Sequence, residues 1–201
     1  MAQQFTSLTA IAAPYDPVNV DTDQLLPARF LKFSRKDGYG KFLFHDLRDN
    51  PDFVLNKKPY DEAKILVANS NFGCGSSREG AAYALFDCGF RSVIAPSFGD
   101  IFFNNCLKNG IVPARLPEEI CKNLRSILKE KPGTELTVDL GAQEVRHGEK
   151  TYAFMVDAFY REMLLKGVDE IGLTLSLVSE IEAFEKSYAE AAPWAVPTRA
   201  P

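Results

Sequence analysis

The segment AKILVANSNFGCGSSREGAAYALFDCGF (residues 63–90) contains three patterns in succession. It begins with a short, continuous apolar run, which is typical of a buried β-strand. A polar stretch with three glycines, two serines, an arginine and a glutamate follows. Apolar residues at helical spacing then lead to Gly89, which predicts a helix that begins near Ser77 and stops at this glycine. The segment therefore predicts a strand and a helix joined by a loop of unusual composition.

The same strand-then-helix pattern continues along the chain. Residues 91–99 and 111–117 are predicted to contain buried strands, and residues 100–110 form a helical pattern that ends at a glycine. Residues 117–133 predict an amphipathic helix, with proline and acidic residues first and basic residues last. Alternating strands and helices favour a parallel sheet with right-handed crossovers.

The pattern changes in the last third of the chain. Residues 134–156 alternate between apolar and polar positions and contain turn signals at Gly141 and Gly148, which predicts an antiparallel meander. Residues 158–167 and 174–192 are predicted to be helical, and residues 5–13 to form an N-terminal strand.

These elements predict an α/β fold in one domain. We expect the domain to span residues 1–190, with helices on one side of a sheet and an additional β layer from the N-terminal strand and the meander. Residues 191–201 are predicted to be a loose C-terminal tail.

Composition excludes several classes of function. The 201 residues are 46% hydrophobic and carry a formal net charge of −4, and the basic residues are spread along the chain, which argues against nucleic-acid binding. Apolar runs are all too short to span a bilayer, and the N-terminus lacks the basic start of a signal peptide. No membrane association and a cytoplasmic location are therefore expected.

The cysteines do not form a metal-binding motif. Cys74, Cys88, Cys106 and Cys121 are widely separated, and the chain contains no C-x-x-C pair. We expect reduced thiols, no metal and no cofactor bound by this chain. A nucleophilic role for Cys74 stays open as an alternative.

The polar loop has the composition of an anion site with a hydroxyl beside it. Gly73 and Gly75 allow positive φ angles and could point backbone N–H groups into one space. Arg78 has a planar fork that matches a carboxylate or phosphate, and Ser76 and Ser77 add hydroxyl groups. The alternative is a capping box, in which the serine and the glutamate three residues later only begin a helix.

A second polar segment lies in the proline-bounded loop of residues 19–31. Asp21 and Asp23 either form Asx turns with their own backbone or direct a carboxylate at Arg78 or a neighbouring serine. Arg35 belongs to a basic cluster in residues 32–39, which is either a solvated loop or a lid over a negatively charged substrate.

Four stretches together resemble a known family. NVDTDQLLPARFL (19–31), NFGCGSSREGAAYAL (71–85) and PSFGDIFFNNCLKNG (96–110), in this order and spacing, resemble the small subunit of bacterial 3-isopropylmalate dehydratase. KFLFHDLRDNPDFVLN (41–56) is also typical of that subunit, which is similar to the swivelling domain of aconitase. The resemblance covers nearly the whole chain.

This resemblance implies a single three-layer β/β/α swivelling domain. It implies a hydro-lyase that interconverts 2-isopropylmalate and 3-isopropylmalate by loss and addition of water in leucine biosynthesis. A [4Fe-4S] cluster is expected in a separate large subunit, which would be the partner of this chain. Homoaconitate or citraconate and 2-methylmalate are alternative substrates of the same small-dicarboxylate class.

The resemblance also implies roles for individual residues. Ser76 takes the position of the catalytic base, and Asp23 that of an active-site acid close to it. A serine oxygen can accept a carbon-bound proton only if its alkoxide is strongly stabilised, a task for which backbone N–H groups and a helix N-terminus are suited. The substrate-binding positions are Gly73, Gly75, Ser77, Arg78 and Arg35.

Overall fold

The computed structural model describes residues 3–75 and 78–195 of the chain. In these ranges one mixed sheet is formed by β1 (Ser7–Pro14), β2 (Ile65–Val67), β3 (Ser92–Ala95), β4 (Val112–Arg115), β5 (Glu135–Asp139), β6 (Glu144–His147) and β7 (Lys150–Ala153). The strands are ordered β4-β3-β2-β1-β5-β6-β7. Ser76, Ser77 and residues 196–201 of the predicted tail lie outside the described residues.

β1 is shared by a parallel and an antiparallel half of the sheet. On one side it runs parallel to β2, and β2, β3 and β4 continue in parallel, as the repeated strand-then-helix pattern predicted. On its other side β1 pairs antiparallel with β5, with Ala10 opposite Leu136. The meander of β5, β6 and β7 follows, with its turns at Gly141 and Gly148, which confirms the sequence prediction.

The α-helices in the described ranges are α1 (Thr22–Leu25), α2 (His45–Arg48), α3 (Gly80–Asp87), α4 (Asp100–Lys108), α5 (Glu118–Glu130), α6 (Ala158–Lys166), α7 (Glu170–Leu175) and α8 (Val178–Ala191). Short 3₁₀ segments lie at Ala28–Phe30, Arg35–Asp37, Gly40–Phe42, Val54–Asn56, Tyr60–Glu62 and Pro193–Ala195. Helices α4, α5 and α6 agree with the predicted segments. The predicted final helix, residues 174–192, corresponds to α8, which begins at Val178, and α7 is a further short helix that the sequence analysis did not predict.

The layering differs in one respect from the prediction. Side chains alternate across a strand, so neighbouring residues face opposite sides of the sheet. Leu66 and Val93 pack in the core cluster that contains α3, whereas Ile65, Val67 and Ile94 pack in the cluster that contains α5. Helices therefore cover both faces of the parallel half, and the prediction that they share one side is wrong. Strands buried on both faces explain the continuous apolar runs in the sequence.

An aromatic group connects the segment after β1 to the loop after β2. The buried ring of Tyr15 lies 5.0 Å from that of Phe44, 6.2 Å from that of Phe53 and 6.5 Å from that of Phe72, measured between centroids. Desolvation by this packing raises the pKa of Tyr15 to about 12. The long segment between β1 and β2 is thereby fixed over the end of the sheet that carries the polar loop.

The last two helices leave apolar side chains in solvent. Helix α8 has no buried residue in the described structure. Large apolar side chains of α7, α8 and the following turn are exposed: Ile171, Leu175, Leu177, Val178, Ile181, Phe184, Tyr188 and Trp194. An exposed apolar surface of this kind is typical of an interaction site.

A buried arginine supports the end of β2. The guanidinium of Arg125, on α5, donates from Nη1 to the carbonyl oxygen of Ala68 at 2.7 Å and from Nε to Oδ1 of Asp16 at 3.2 Å. Only 6% of Arg125 is exposed. Since Ala68 directly follows β2, this contact fixes the point at which the chain leaves the sheet and enters the polar loop.

Replacing Arg125 by leucine should lower the free energy of unfolding by about 2–4 kcal/mol, because the buried carbonyl of Ala68 loses its donor. Urea denaturation followed by circular dichroism measures the change. Arg146→Leu is the matched control: its ion pair with Asp139 is exposed, and its loss should cost about 1 kcal/mol or less. Equal losses in the two variants would contradict a special contribution from the buried arginine.

Candidate functional site

The loop after β2 is held by backbone hydrogen bonds to the loop after β1. The N–H groups of Gly73 and Cys74 both donate to the carbonyl oxygen of Val20, at 2.7 and 3.2 Å. In return, the N–H of Thr22 donates to the carbonyl oxygen of Cys74 at 3.0 Å, which makes a parallel bridge between Asp21 and Cys74. The two polar segments predicted from the sequence are therefore neighbours.

Close packing explains the glycines at two positions. Gly73 has a φ of 73°, and a Cβ at this residue would overlap the buried ring of Phe102 on α4. A Cβ at Gly99, just before α4, would lie 2.5 Å from the carbonyl oxygen of Gly73. The glycine loop thus lies directly against the beginning of α4, which only residues without side chains allow.

The predicted donor set of the loop is partly wrong. The N–H groups of Gly73 and Cys74 bond to Val20, so they do not point together into a ligand space. Helix α3 begins at Gly80, not near Ser77, so its N-terminal end is further along the chain than predicted. Within the described residues, the N–H of Gly75 donates to no backbone acceptor and is the donor that this part of the loop leaves for a ligand.

Asp21 and Asp23 have different roles in the structure. Oδ1 of Asp21 accepts a hydrogen bond from the N–H of Gln24 at 2.7 Å and caps α1, as the Asx-turn alternative predicted. Oδ2 of Asp23 instead accepts from Nη2 of Arg78 at 2.6 Å. The side chains of Asp23 and Arg78 are 52% and 34% exposed, so this pair faces solvent and adds little stability, but it orients the guanidinium.

Arg35 contacts different residues. Its guanidinium carbon lies 3.4 Å from the ring centroid of Tyr83 on α3, and its Nη2 is 3.5 Å from Oδ1 of Asn109. The structure therefore brings Asp23 and Arg78 together, whereas Arg35 contacts Tyr83 on α3 and Asn109 at the end of α4. A role for Arg35 in substrate binding stays a prediction.

A small cavity lies beside the glycine loop. It has a volume of about 210 Å³ and is lined by Gly73, Gly75, Gly99, Asp100, Ile101 and Phe102. The helix end at this cavity is the N-terminus of α4, which the sequence analysis did not assign to the site. Ser76 and Ser77, the predicted base and its neighbour, lie between Gly75 and Arg78 but outside the described residues.

The sequence analysis also missed the contacts of Glu79. Nδ2 of Asn109, at the C-terminal end of α4, donates to Oε1 of Glu79 at 2.7 Å. Burial and then the neighbouring Glu79 carboxylate raise the pKa of Tyr83.

A capping box would require Glu79 inside the first turn of α3, whereas it is the N-cap residue and makes no side-chain capping bond. The capping-box alternative is therefore wrong. A glutamate just before the helix was the sequence signal that could have indicated the contact with Asn109.

The cysteines are free thiols in separate places. Cys106 and Cys121 are buried in different core clusters, and burial raises the pKa of both, that of Cys121 to about 11. Cys88 is exposed and Cys74 is partly exposed. Among residues 3–75 and 78–195, no group of three or more histidine, cysteine, aspartate or glutamate side chains is arranged to hold a metal ion.

Helices of the described ranges are also too short or too polar to cross a lipid bilayer.

Sequence comparison identifies the class of domain. A model of the aconitase C-terminal domain matches residues 2–119, which is more than half of the chain. A model described as LeuD_N matches residues 123–158, and a model of the C-terminal domain of the 3-isopropylmalate dehydratase small subunit matches residues 170–198. The chain thus has an aconitase-type C-terminal domain, which confirms the fold class expected from the sequence.

Individual relatives identify the family to which the chain belongs within this class of domain. The 3-isopropylmalate dehydratase small subunit of Granulibacter bethesdensis is 50% identical over 197 residues, which cover 95% of both chains. That of Gluconobacter oxydans is 53% identical over 189 residues, 90% of this chain and 91% of the relative. A solved structure of 3-isopropylmalate dehydratase from Methanocaldococcus jannaschii is 27% identical, with a TM-score of 0.67 over 88% of this chain and 99% of that one. The chain belongs to the family of 3-isopropylmalate dehydratase small subunits.

Replacing Gly73 by alanine should destabilise the chain by about 2–5 kcal/mol, because a positive φ and an overlap with a core ring both disfavour a side chain. Gly38→Ala is the matched control: its φ is also 73°, and nothing lies within 4 Å of its Cβ position. The control should lose only about 1–2 kcal/mol from backbone strain. The difference in unfolding free energy between the variants measures the packing of the loop on Phe102, and equal losses would contradict that packing.

Proposed function

We propose that this chain is the small subunit of a heteromeric hydro-lyase that interconverts 2-isopropylmalate and 3-isopropylmalate by dehydration and rehydration in leucine biosynthesis. The observation that carries this proposal is about 50% identity to named 3-isopropylmalate dehydratase small subunits across nearly the whole of both chains. The contact between Asp23 and Arg78 at the glycine loop supports it, because it supplies an oriented cation for a carboxylate substrate.

Arg78 is the proposed carboxylate-binding residue. Nη2 of Arg78 donates to Oδ2 of Asp23 at 2.6 Å, and the planar fork of N–H donors on its guanidinium matches the geometry of a carboxylate. Ser77 is proposed to contribute to the same binding, with Gly73 and Gly75 as the backbone beside it. Arg35 is retained as a proposed substrate contact, which requires that its guanidinium move from Tyr83.

Ser76 is the proposed base that takes the carbon-bound proton. The N–H groups of Gly73 and Cys74 bond to Val20, so among the described residues the proposed supports for a serine alkoxide are the Gly75 N–H and the positive charge of Arg78. Asp23 is proposed to act through Arg78 by keeping this charge close to the serine. This assignment replaces the set of several loop amides that was expected from the sequence.

The residues of this chain do not fit an iron–sulfur cluster. Its cysteines lie apart, and the buried Cys106 and Cys121 belong to different core clusters, so they cannot bind one cluster together. The name shared by the relatives, small subunit, implies a large-subunit partner. We therefore place the [4Fe-4S] cluster in that partner. A cytoplasmic location and a domain boundary at residue 190 stay predictions from the sequence.

The exposed apolar side chains of α7 and α8 support a protein partner. Helix α8 carries Glu180, Glu182, Glu185 and Glu190 but only one basic residue, Lys186. Two copies of this acidic helix would repel each other when packed together, whereas a basic-rimmed groove would accept one. The C-terminal domain model for small subunits covers the same segment, residues 170–198. We propose the large subunit as the occupant.

Reconstitution tests the function. The chain alone should not convert either isopropylmalate isomer, and mixing it anaerobically with an iron–sulfur large subunit should start isomerisation, followed by the absorbance of the unsaturated intermediate. The large subunit alone is the control. Full activity of the isolated chain, or a reconstituted pair that turns over only another hydroxy-dicarboxylate, would overturn the proposal.

Replacing Ser76 by alanine should lower kcat of the reconstituted enzyme by about 10²–10⁴, because proton abstraction loses its base. Co-elution of the two subunits in gel filtration should not change. Ser126→Ala is the matched control, since this exposed hydroxyl on α5 bonds only to Glu130 and should leave kcat unaltered. A wild-type kcat for the Ser76 variant would remove this residue from the base role.

A further inference from the structure

Two elements that flank the site meet at Glu79. This residue directly follows Arg78 and is the N-cap of α3, and its carboxylate accepts a hydrogen bond of 2.7 Å from Asn109 at the C-terminal end of α4. Its carbonyl oxygen accepts from the N–H groups of Ala82 and Tyr83, at 2.9 and 3.2 Å. Glu79 is therefore bonded to α3 through its backbone and to α4 through its side chain.

The partner of Glu79 is itself well fixed. Nδ2 of Asn109 also donates to the carbonyl oxygen of Asn105 at 2.8 Å, within the last turn of α4. The amide oxygen of Asn109, Oδ1, lies 3.5 Å from Nη2 of Arg35, and the guanidinium of Arg35 stacks on the ring of Tyr83. Both Glu79 and Asn109 are partly buried, which favours a hydrogen bond that persists.

Other charges around Glu79 do not compete for this bond. The ammonium group of Lys108 bonds to Glu170 on α7 at 2.9 Å, although its pKa is also raised by the more distant Glu79. Glu79, Lys108, Asp169 and Glu170 all line one cavity of about 220 Å³. Asn109 thus makes the hydrogen bond that links the Glu79 carboxylate to α4, while Tyr83, whose pKa this carboxylate raises after burial, contacts it from α3.

Two side-chain contacts from different elements hold the adjacent residues Arg78 and Glu79. Asp23 holds the side chain of Arg78 from the loop after β1, while Asn109 holds the next residue from α4. An arginine that binds a carboxylate through a planar fork loses affinity when its position shifts by about 1 Å. Resting on the proposed function, we propose that Glu79 is a positioning residue, which through Asn109 fixes the backbone at Arg78 for carboxylate binding.

The test compares four variants. Glu79→Leu and Asn109→Asp each break the bond, the second by placing two carboxylates face to face, since ionised carboxylates only accept hydrogen bonds. Glu79→Gln keeps an accepting oxygen toward Asn109. The double variant Glu79→Gln/Asn109→Asp restores a bond with donor and acceptor exchanged. Both Asn109→Asp variants lose the bond to Asn105, so the difference between them isolates the link to Glu79.

The first measurement uses the isolated full chain and does not depend on any activity. Amide hydrogen exchange of the peptide spanning residues 78–87 should become about tenfold faster in Glu79→Leu and Asn109→Asp, and return toward wild type in Glu79→Gln and in the double variant. The meander strand β6 is the internal reference and should be unchanged. Glu130→Leu, which removes an exposed glutamate that bonds only to Ser126, is the control substitution.

The second measurement uses the reconstituted enzyme. KM should rise about tenfold in the two bond-breaking variants, because the fork of Arg78 loses its orientation toward the carboxylate, while kcat should fall by much less than in Ser76→Ala, because the charge of Arg78 and the serine are both retained. The two restored variants should recover KM. Wild-type exchange and KM in Glu79→Leu, or a Glu79→Gln variant as impaired as Glu79→Leu, would overturn the proposal. If wild-type subunits show no turnover but exchange follows the predicted order, the function fails while the anchoring stands.

Discussion

The carbonyl oxygen of Val20 connects the two loops from which the site is built. It accepts hydrogen bonds from the N–H groups of Gly73 and Cys74. The N–H of Thr22 donates to the carbonyl oxygen of Cys74, so the two loops pair in parallel. Asn19 adds two more hydrogen bonds between these loops, from its N–H to the carbonyl oxygen of Ser70 and from Nδ2 of Asn71 to its Oδ1, so the loops continue the pairing of their adjacent strands. The bonds also occupy two amides of the loop, so in the described part of the loop, up to residue 75, Gly75 has the backbone N–H that is left for a ligand.

Around this contact the structure divides similar residues between structural and functional tasks. Asp21 caps a helix turn while Asp23, two residues later, faces Arg78, because one turn of α1 points successive side chains in different directions. Gly73 is required for packing on Phe102, whereas among the described residues a Cβ at Gly75 would meet the Asp21 side chain at an ordinary contact distance of 3.5 Å. The ligand-binding capacity of this site therefore depends on which polar groups are not already hydrogen-bonded within the protein, rather than on how many polar residues the loops contain.

Under the proposed function, the described site is one half of a reaction chamber. It offers an oriented guanidinium, the Gly75 amide and a small cavity at the start of α4, and within the described residues the donor set for a metal cluster is not part of it. Such a division suits a dehydration reaction, in which proton removal and loss of the hydroxyl group are separate tasks. It also explains why the far end of the chain presents apolar helices to solvent, since an incomplete site requires a partner protein.

The sequence by itself determined the order of the strands and helices, the meander, the fold class and the two polar loops, because apolar periodicity and glycine and proline positions act locally. It also indicated that Asp23 and Arg78 could meet. Tertiary structure alone decided that the amides of Gly73 and Cys74 are occupied, that α3 begins at Gly80, that α5 covers the opposite face from α3, and that Glu79 bonds to Asn109. Each of these depends on a contact between segments distant in the chain, and a pattern of neighbouring residues contains no information about which distant acceptor a backbone N–H or a carboxylate will find.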